Sequence, residues 1–158
     1  GRLLIIRKKD SWNWSEGDPA TITVTAPSLA SAALAGSGNI TADKMGGDEV
    51  KLSVAGSGDL KVGDVQTKKV NAKLAGSGDF SLAGKADSAD YSIAGTGNLD
   101  AGKLVATDAE VDIAGSGDAT VNATGKVKAK IAGSGDIHVS GGASCTSNTV
   151  GSGEVHCG

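Results

Sequence analysis

Short segments that alternate apolar and polar residues recur along the chain in pairs, and each pair flanks a glycine-rich phrase. Alternation with a period of two is typical of a half-buried β-strand. The segments before the phrase are VKLSV (50–54), VNAKL (70–74), ADYSI (89–93), AEVDI (109–113) and VKAKI (127–131). Those after it are LKV (60–62), FSL (80–82), LDA (99–101), ATV (119–121) and IHV (137–139). The pattern predicts an all-β chain.

The phrase between the paired strands is AGSGD, at 55–59, 75–79, 114–118 and 132–136, with AGSGN, AGTGN and VGSGE at 35–39, 94–98 and 150–154. It returns at steps of 18–20 residues. This period is too short for repeats of helix pairs, and the chain lacks the LxxLxL pattern of leucine-rich repeats. We therefore predict a single-domain, right-handed parallel β-helix (a β-solenoid) with about seven coils of 18–20 residues.

The glycines of the phrase are predicted to be structural corner residues. Carrying the alternation inward from Val54 to Leu60 places both glycines of that phrase on the inside of a bend. Glycine lets the backbone approach the axis and adopt conformations that other residues avoid. The predicted corner residues are Gly36, Gly38, Gly56, Gly58, Gly76, Gly78, Gly95, Gly97, Gly115, Gly117, Gly133, Gly135, Gly151 and Gly153.

Stacking the repeats in register aligns side chains of matching size and charge. Large Tyr91 falls next to small Ala72, as a close-packed core requires. On the outside, the register places Glu110 beside Lys128, and opposite charges on adjacent strands are mildly favourable. Asp112 falls beside Lys130 in the same way. The innermost column before the corner reads Leu34, Val54, Leu74, Ile93, Ile113 and Ile131.

The two ends of the predicted domain, which spans 1–158, differ from the repeat coils at 29–142. Residues 1–28 are predicted to form an N-terminal cap of lead-in strands, in which Trp12 and Trp14 cover the first layer. Aromatic residues are otherwise rare, at 3% in total, and the chain holds 25 glycines, as expected for a core of many thin, similar layers.

Residues 143–158 are predicted to form a C-terminal capping coil, in which Ser147 and Thr149 replace apolar core positions. Cys145 and Cys157 lie in this coil, and we expect a disulfide between them that staples it. A free cysteine pair and a metal site are the alternatives. A disulfide implies an oxidising compartment.

Charge and hydrophobicity argue against two classes of partner. The net charge is −3, and no basic cluster is longer than Arg7-Lys8-Lys9, so we predict no nucleic acid partner. No apolar run approaches the ~18 residues needed to cross a membrane, so we predict no membrane span in this chain.

An acidic or amide residue follows the second glycine of each phrase and is predicted to face outward. Asp and Asn in turns usually bond their local backbone, and we favour that role. We expect no cofactor; calcium bridged by stacked carboxylates is the alternative. With the adjacent serines, these residues form the candidate binding face: Ser57, Asp59, Ser77, Asp79, Ser116, Asp118, Ser134 and Asp136.

His138 and His156 occupy the same outward position in consecutive repeats, two residues after Asp136 and Glu154. Imidazoles and carboxylates together ligate zinc or copper, so these four residues are candidate metal ligands. We favour a solvent-facing pair, because nothing in the sequence indicates the second shell that such a site needs.

The recurrent (V/I/L)AGSGD phrase, together with the lead-in LLIIRKKDSWNWSEGDPATITVTAPSLASAALAGSGN (3–39), resembles a bacterial family, the putative auto-transporter adhesin head domain, or head GIN domain. The resemblance covers essentially the whole chain. It implies a right-handed parallel β-helix-like fold and an exported protein of the periplasm, outer-membrane surface or extracellular space. It supplies no catalytic residues. Such proteins usually carry a further β segment before the position of Arg2, so we expect a trimmed N-terminus.

From these features we predict a non-enzymatic surface or periplasmic interaction scaffold, adhesin-like, that binds a glycan or a surface protein through a repetitive rigid face. A homo-oligomer is compatible with this interpretation. One alternative is a carbohydrate-active enzyme on the same fold, resembling polysaccharide lyases or hydrolases. However, the chain lacks GxSxG, HExxH and Walker phrases, and arginine occurs only at Arg2 and Arg7. The other alternative is a purely structural or oligomerising module.

Overall fold

Every regular element of the protein is a β-strand in the part that the computed structural model describes, which is residues 3–7, 21–24 and 30–158. That part contains no helix able to cross a membrane. The predicted covering role of Trp12 and Trp14 lies outside the described residues. The strands are β1 Leu3–Arg7, β2 Thr21–Val24, β3 Ser31–Gly36, β4 Asn39–Gly56, β5 Asp59–Gly76, β6 Phe80–Gly95, β7 Leu99–Gly115, β8 Ala119–Ala123, β9 Lys126–Gly133, β10 Ile137–Ser140, β11 Ser144–Gly151 and β12 Val155–Cys157.

The strands wind into a parallel β-solenoid of about six turns, delimited by the seven predicted corners. Each strand pairs in parallel with its equivalent one turn later, so β4, β5, β6 and β7 stack in chain order. Towards the C-terminus the same role passes to shorter strands, with β9 and β11 before the corner and β8, β10 and β12 after it. The predicted single-domain, all-β parallel solenoid is confirmed.

The register agrees with the columns expected from the sequence. Ala72 pairs with Tyr91, Glu110 with Lys128, and Asp112 with Lys130. The innermost column also runs as predicted, because Val54, Leu74, Ile93, Ile113 and Ile131 are partners in successive turns. The hydrophobic alternation and the recurrent phrase both set this register, since a slip of one residue would turn every apolar side chain outward.

The core is a stack of thin apolar layers made mainly of Val, Leu, Ile and Ala. Buried and exposed residues alternate along most of β5 and β7, and apolar residues occupy the buried positions. Tyr91 is 3% exposed and is accommodated by small neighbours such as Ala72 and Ala89. Among residues 30–158 no charged side chain is buried, so all ionisable chemistry lies on the outer faces.

The corners use their two glycines for different reasons. The first glycine of every phrase has a φ between 108° and 144°, in the region that favours glycine. The second glycine, as at Gly78, lacks a positive φ, but a Cβ there would overlap the carbonyl oxygen of Gly58 one turn earlier. The stacked backbones therefore leave no room for a side chain, and the alternation does place this glycine on the inside.

The third side of the solenoid absorbs the variation in repeat length. The pairing of β5 with β6 shifts between Val62 and Val65, and the pairing of β6 with β7 shifts between Ser81 and Ala83. These irregularities follow the strand after each corner. Turns of 18, 19 and 20 residues can therefore stack without disturbing the corners.

The C-terminal coil differs from the others as the sequence predicts. Ser147 pairs with Ala129 and Thr149 with Ile131, so polar residues continue the core columns, and both are exposed. Cys145 and Cys157 form a disulfide, which confirms the predicted pairing. The two cysteines continue the columns of Val127 and Val139, so the disulfide bridges two sides of the last coil below the apolar core.

Candidate functional site

The corner face is built from three outward columns, contributed by the alanine, the serine or threonine, and the final acidic or amide residue of each phrase. The backbone N–H of Ser77 donates to the carbonyl oxygen of Gly56 one turn earlier at 2.9 Å, and Ser116 and Ser134 repeat this bond. The hydroxyl of Thr96 donates to that of Ser77 at 3.3 Å. The predicted binding residues therefore share one exposed, regularly spaced surface.

A ladder of side-chain hydrogen bonds runs down the acidic column. The Oδ1 of Asp59 accepts from the backbone N–H of Asp79 at 3.1 Å, and the Oδ1 of Asp79 accepts from that of Asn98 at 3.0 Å. Equivalent bonds of 2.9–3.4 Å join the other neighbours of the column. The full ladder consists of Asn39, Asp59, Asp79, Asn98, Asp118, Asp136 and Glu154.

The partner in this ladder differs from the expected one. We expected each Asp or Asn to bond backbone within its own turn, whereas the acceptor reaches the equivalent residue of the next turn. The reason is the parallel stacking, which places that N–H about one strand spacing (~4.8 Å) along the axis. A carboxylate and an amide both offer an acceptor oxygen, which explains why Asn98 can replace Asp. The repetition of these residues thus has a structural cause that needs no cation.

The four candidate metal ligands lie near one another at the C-terminal end. The rings of His138 and His156 stack with centroids 4.9 Å apart and planes 12° apart, and Nε2 of His156 lies 3.3 Å from Oε2 of Glu154. Asp136 accepts the N–H of Glu154 and belongs to the ladder. Within the described residues no three His, Cys, Asp or Glu side chains are grouped to hold a metal ion. A metal at this pair, like calcium on the acidic column, stays a prediction.

A groove of about 330 Å³ lies on the outer face of the sheet before the corner, and we did not predict it. It crosses β6, where Asp90 and Ser92 are short, between longer side chains of β5 and β7 such as Lys73 and Glu110. The only available sequence signal is this contrast in side-chain length between equivalent positions. The lining residues are Asn71, Lys73, Asp90, Tyr91, Ser92, Glu110 and Asp112.

The carboxylates of the groove are paired with lysines. Nζ of Lys130 lies 2.9 Å from Oε1 of Glu110 and 3.6 Å from Oδ1 of Asp112, and Lys69 lies 3.2 Å from Asp90. The hydrogen bond from Lys130, and then its charge, hold the pKa of Glu110 below its ordinary value. Because a glycosidase needs one carboxyl with a raised pKa as general acid, Glu110 is tuned in the opposite direction.

Comparisons with known proteins agree with this architecture. A family described as "Putative auto-transporter adhesin, head GIN domain" matches residues 1–143. Among solved structures, a putative lipid binding protein from Parabacteroides distasonis is 32% identical, with a TM-score of 0.73 over 89% of this chain and 56% of that one. A putative adhesin from Bacteroides fragilis is 27% identical, with a TM-score of 0.73 over 83% of this chain and 61% of that one.

The chain thus spans less than two thirds of the length of either solved structure. No curated protein matches it. The family assignment therefore rests on the match over residues 1–143, and both solved structures extend the similarity to the fold.

Proposed function

The chain belongs to the putative auto-transporter adhesin, head GIN domain family, and from that premise we propose that it is a non-enzymatic interaction scaffold of the cell surface or periplasm. Its ligand is a hydroxyl-rich glycan, bound along the corner face. The observation that carries this proposal is the regular array of Ser or Thr hydroxyls and Asp or Asn side chains, repeated once per turn. A surface protein that binds the same face is the second candidate partner.

The ladder supports this role because it fixes the acidic column while leaving binding capacity. Each carboxylate uses Oδ1 for the next turn, as Asp59 and Asp118 do, and its second oxygen is left to accept from an outside hydroxyl. A ligand would therefore meet a surface whose side chains are already ordered. Preorganisation of this kind lowers the entropic cost of binding.

Repetition compensates for the shallowness of the face. A single turn offers one hydroxyl and one carboxylate, which is a weak contact. A polymer that engages several turns at once gains from the high effective concentration of each further contact. An extended glycan chain, which repeats its own hydroxyl groups, suits such a surface.

The disulfide and the family support an exported, non-cytoplasmic protein. A structural disulfide such as Cys145–Cys157 persists in oxidising compartments. We place the protein on the outer surface or in the periplasm, where a glycan or surface protein would be accessible.

Lipid binding, which the name of one similar structure suggests, finds less support on the described surface. Among residues 30–158 the large hydrophobic side chains that are exposed are Val105 and Val150, at 37% and 70%. These valines lie in different strands, β7 and β11, and form no groove that could hold an acyl chain. Polar contacts therefore fit the described surface better.

A glycan-array screen of the intact protein, with calcium and with chelator, tests the proposal. We expect specific binding that survives chelation, that is lost in a Ser77→Lys/Ser116→Lys double variant and that persists in the control Thr107→Lys on the third side. Binding that the double variant retains would exclude the corner face. Binding lost on chelation would instead assign the carboxylate column to a metal-dependent site. An array without specific binding would reject the glycan and leave a protein partner.

A further inference from the structure

Charged residues on the outer face of the sheet before the corner lie in rows that follow the strands. The row on β7 is wholly acidic and the next row, on β9, is wholly basic. Strand pairing places Glu110 opposite Lys128 and Asp112 opposite Lys130. The acidic row is Asp108, Glu110 and Asp112, and the basic row is Lys126, Lys128 and Lys130.

Pairing within the chain neutralises only part of these rows. Lys130 contacts both Glu110 and Asp112, at 2.9 Å and 3.6 Å. In the described part of the chain, the ammonium groups of Lys126 and Lys128 form no ion pair within 4.0 Å, and Asp108 accepts only the backbone N–H of Lys126, at 2.9 Å. All three lysines are exposed. The face therefore presents unpaired charge of both signs in two adjacent rows.

Two adjacent rows of opposite sign are complementary to a second copy of themselves. A two-fold axis that runs parallel to the strands, between β7 and β9, places the acidic row of one copy over the basic row of the other. Each of the contacts Asp108–Lys126, Glu110–Lys128 and Asp112–Lys130 then occurs twice, as an isologous interface requires. A two-fold axis along the solenoid would place like charges together. We therefore propose that this face pairs two copies of the chain as antiparallel rods.

The neighbouring rows are compatible with that arrangement. The same axis places β11 of one copy, with outward Ser144, Thr146 and Asn148, over β6 of the other, with outward Ser88, Asp90 and Ser92. The groove across β6 lies on this face, so the small side chains of the partner's β11 would lie over it.

The charge pattern also determines how strong the pairing can be. The contact rows are polar, so the interface has no apolar centre, and its strength depends on screened charges. Such contacts give orientation and fast association rather than high affinity. We expect a weak dimer at low ionic strength. The corner faces lie outside the paired rows, so this proposal does not depend on the proposed glycan binding.

Sedimentation of the intact protein at about 0.01 M and about 1 M ionic strength tests the pairing, because the Debye length falls from about 30 Å to about 3 Å. We expect dimers at low ionic strength and at least a tenfold (~1.4 kcal/mol) rise in the dissociation constant at high ionic strength. A monomer at every concentration at low ionic strength would overturn the proposal.

Two charge reversals locate the interface. Glu110→Lys and Lys128→Glu should each abolish the homodimer, because each places like charges at two symmetric contacts. An equimolar mixture should recover the dimer, since both contacts between positions 110 and 128 then join a lysine of one variant to a glutamate of the other. Lys85→Glu, which changes the net charge by the same amount as Lys128→Glu but lies on the third side, should still dimerise, and thermal unfolding verifies that each variant folds. A dimer that survives either reversal, or a mixture that stays monomeric, would contradict this interface.

Discussion

At the scale of single residues, the corner phrase AGSGD divides its work between conformation and hydrogen bonding. The first glycine supplies a positive φ, the second removes a side chain where backbones stack, and the aspartate accepts an N–H from the next turn. The serine adds a hydroxyl to the outer face. The phrase is therefore both a structural corner and the unit from which the proposed binding face is made.

Replacing Gly76 with Val should severely destabilise the fold. Gly76 has a φ of 131°, and a Cβ there would overlap the carbonyl oxygen of Gly56. Backbone strain and overpacking together should cost at least about 4 kcal/mol of unfolding free energy in urea denaturation. Asp79→Asn is the control and should cost less than about 1 kcal/mol, because an amide keeps the acceptor oxygen that Asn98 uses. Similar, small losses in both variants would show that the glycines are not structural corners.

The ion pair between Lys130 and Glu110 predicts a local dependence on pH. Lys130 lowers the pKa of Glu110 from an ordinary value of 4.5, so the folded state binds fewer protons than the unfolded state near that pH. The pair therefore stabilises the fold above about 4.5 and loses this effect as the pH falls through the lowered pKa of Glu110. Lys130→Met should return the pKa of Glu110 towards 4.5 in an NMR titration of its carboxyl.

Lys128→Met provides the comparison, because Lys128 acts on Glu110 only through its charge and least among the causes. The pKa of Glu110 should shift less in that variant. An unchanged pKa in Lys130→Met would mean that the side-chain hydrogen bond does not persist in solution, as is common for exposed ion pairs.

At the scale of elements, the long strands of the middle turns and the short strands of the last coil are stabilised differently. Strands β4 to β7 each have a partner on both sides and an apolar inner face. Strands β11 and β12 pair on one side only, and their inward positions include Ser147 and Thr149. The disulfide between Cys145 and Cys157 holds this coil where the apolar core ends.

Reducing the disulfide should open the last coil without unfolding the solenoid. The cysteines are 12 residues apart, and closing a loop of this size stabilises by about 3 kcal/mol in the chain-entropy model. Hydrogen exchange in the presence of reductant should show lost protection in β11 and β12. Amides of β7 serve as the internal control and should stay protected. Uniform loss across the chain, or no loss in the last coil, would contradict a local stapling role.

At the scale of the whole molecule, stability should be a sum of contacts between neighbouring turns. Each turn packs only on the turns above and below it, as in other repeat proteins. The same residue should therefore contribute more in the middle of the stack than at its end. The column of Ile113, Ile131 and Thr149 allows this comparison with matched side chains.

Ile113→Ala should destabilise the protein more than Ile131→Ala does. Both isoleucines are 2% exposed, but Ile113 packs between Ile93 and Ile131, whereas Ile131 packs between Ile113 and polar Thr149. We expect losses of about 4 and about 2 kcal/mol in unfolding free energy. Equal losses in urea denaturation would argue against nearest-neighbour stability.

The same stacking gives the molecule two distinct outer surfaces. The corner face repeats one set of polar groups in every turn, which suits a repetitive ligand. The sheet face varies from turn to turn, with acidic residues on β7 and lysines on β9, which suits a single specific contact. The proposed glycan binding and the proposed self-pairing thus use different surfaces of one rigid rod.

The sequence by itself determined the architecture. A period-two alternation interrupted by AGSGD at steps of 18–20 residues leaves one parallel register, because any slip would expose the apolar column of Val54 and Leu74. The disulfide between Cys145 and Cys157 and the polar end of the core were also predictable, since they interrupt that pattern.

Only the tertiary structure decided how residues about 20 positions apart meet. The acceptor ladder was not predicted because the N–H that Asp59 receives belongs to the next turn, at a distance set by strand spacing. The groove across β6 depends on side-chain lengths in three adjacent turns, and the third-side register shifts depend on how turns of unequal length are stacked. Alternation specifies which way a side chain points, whereas three-dimensional packing determines what it contacts.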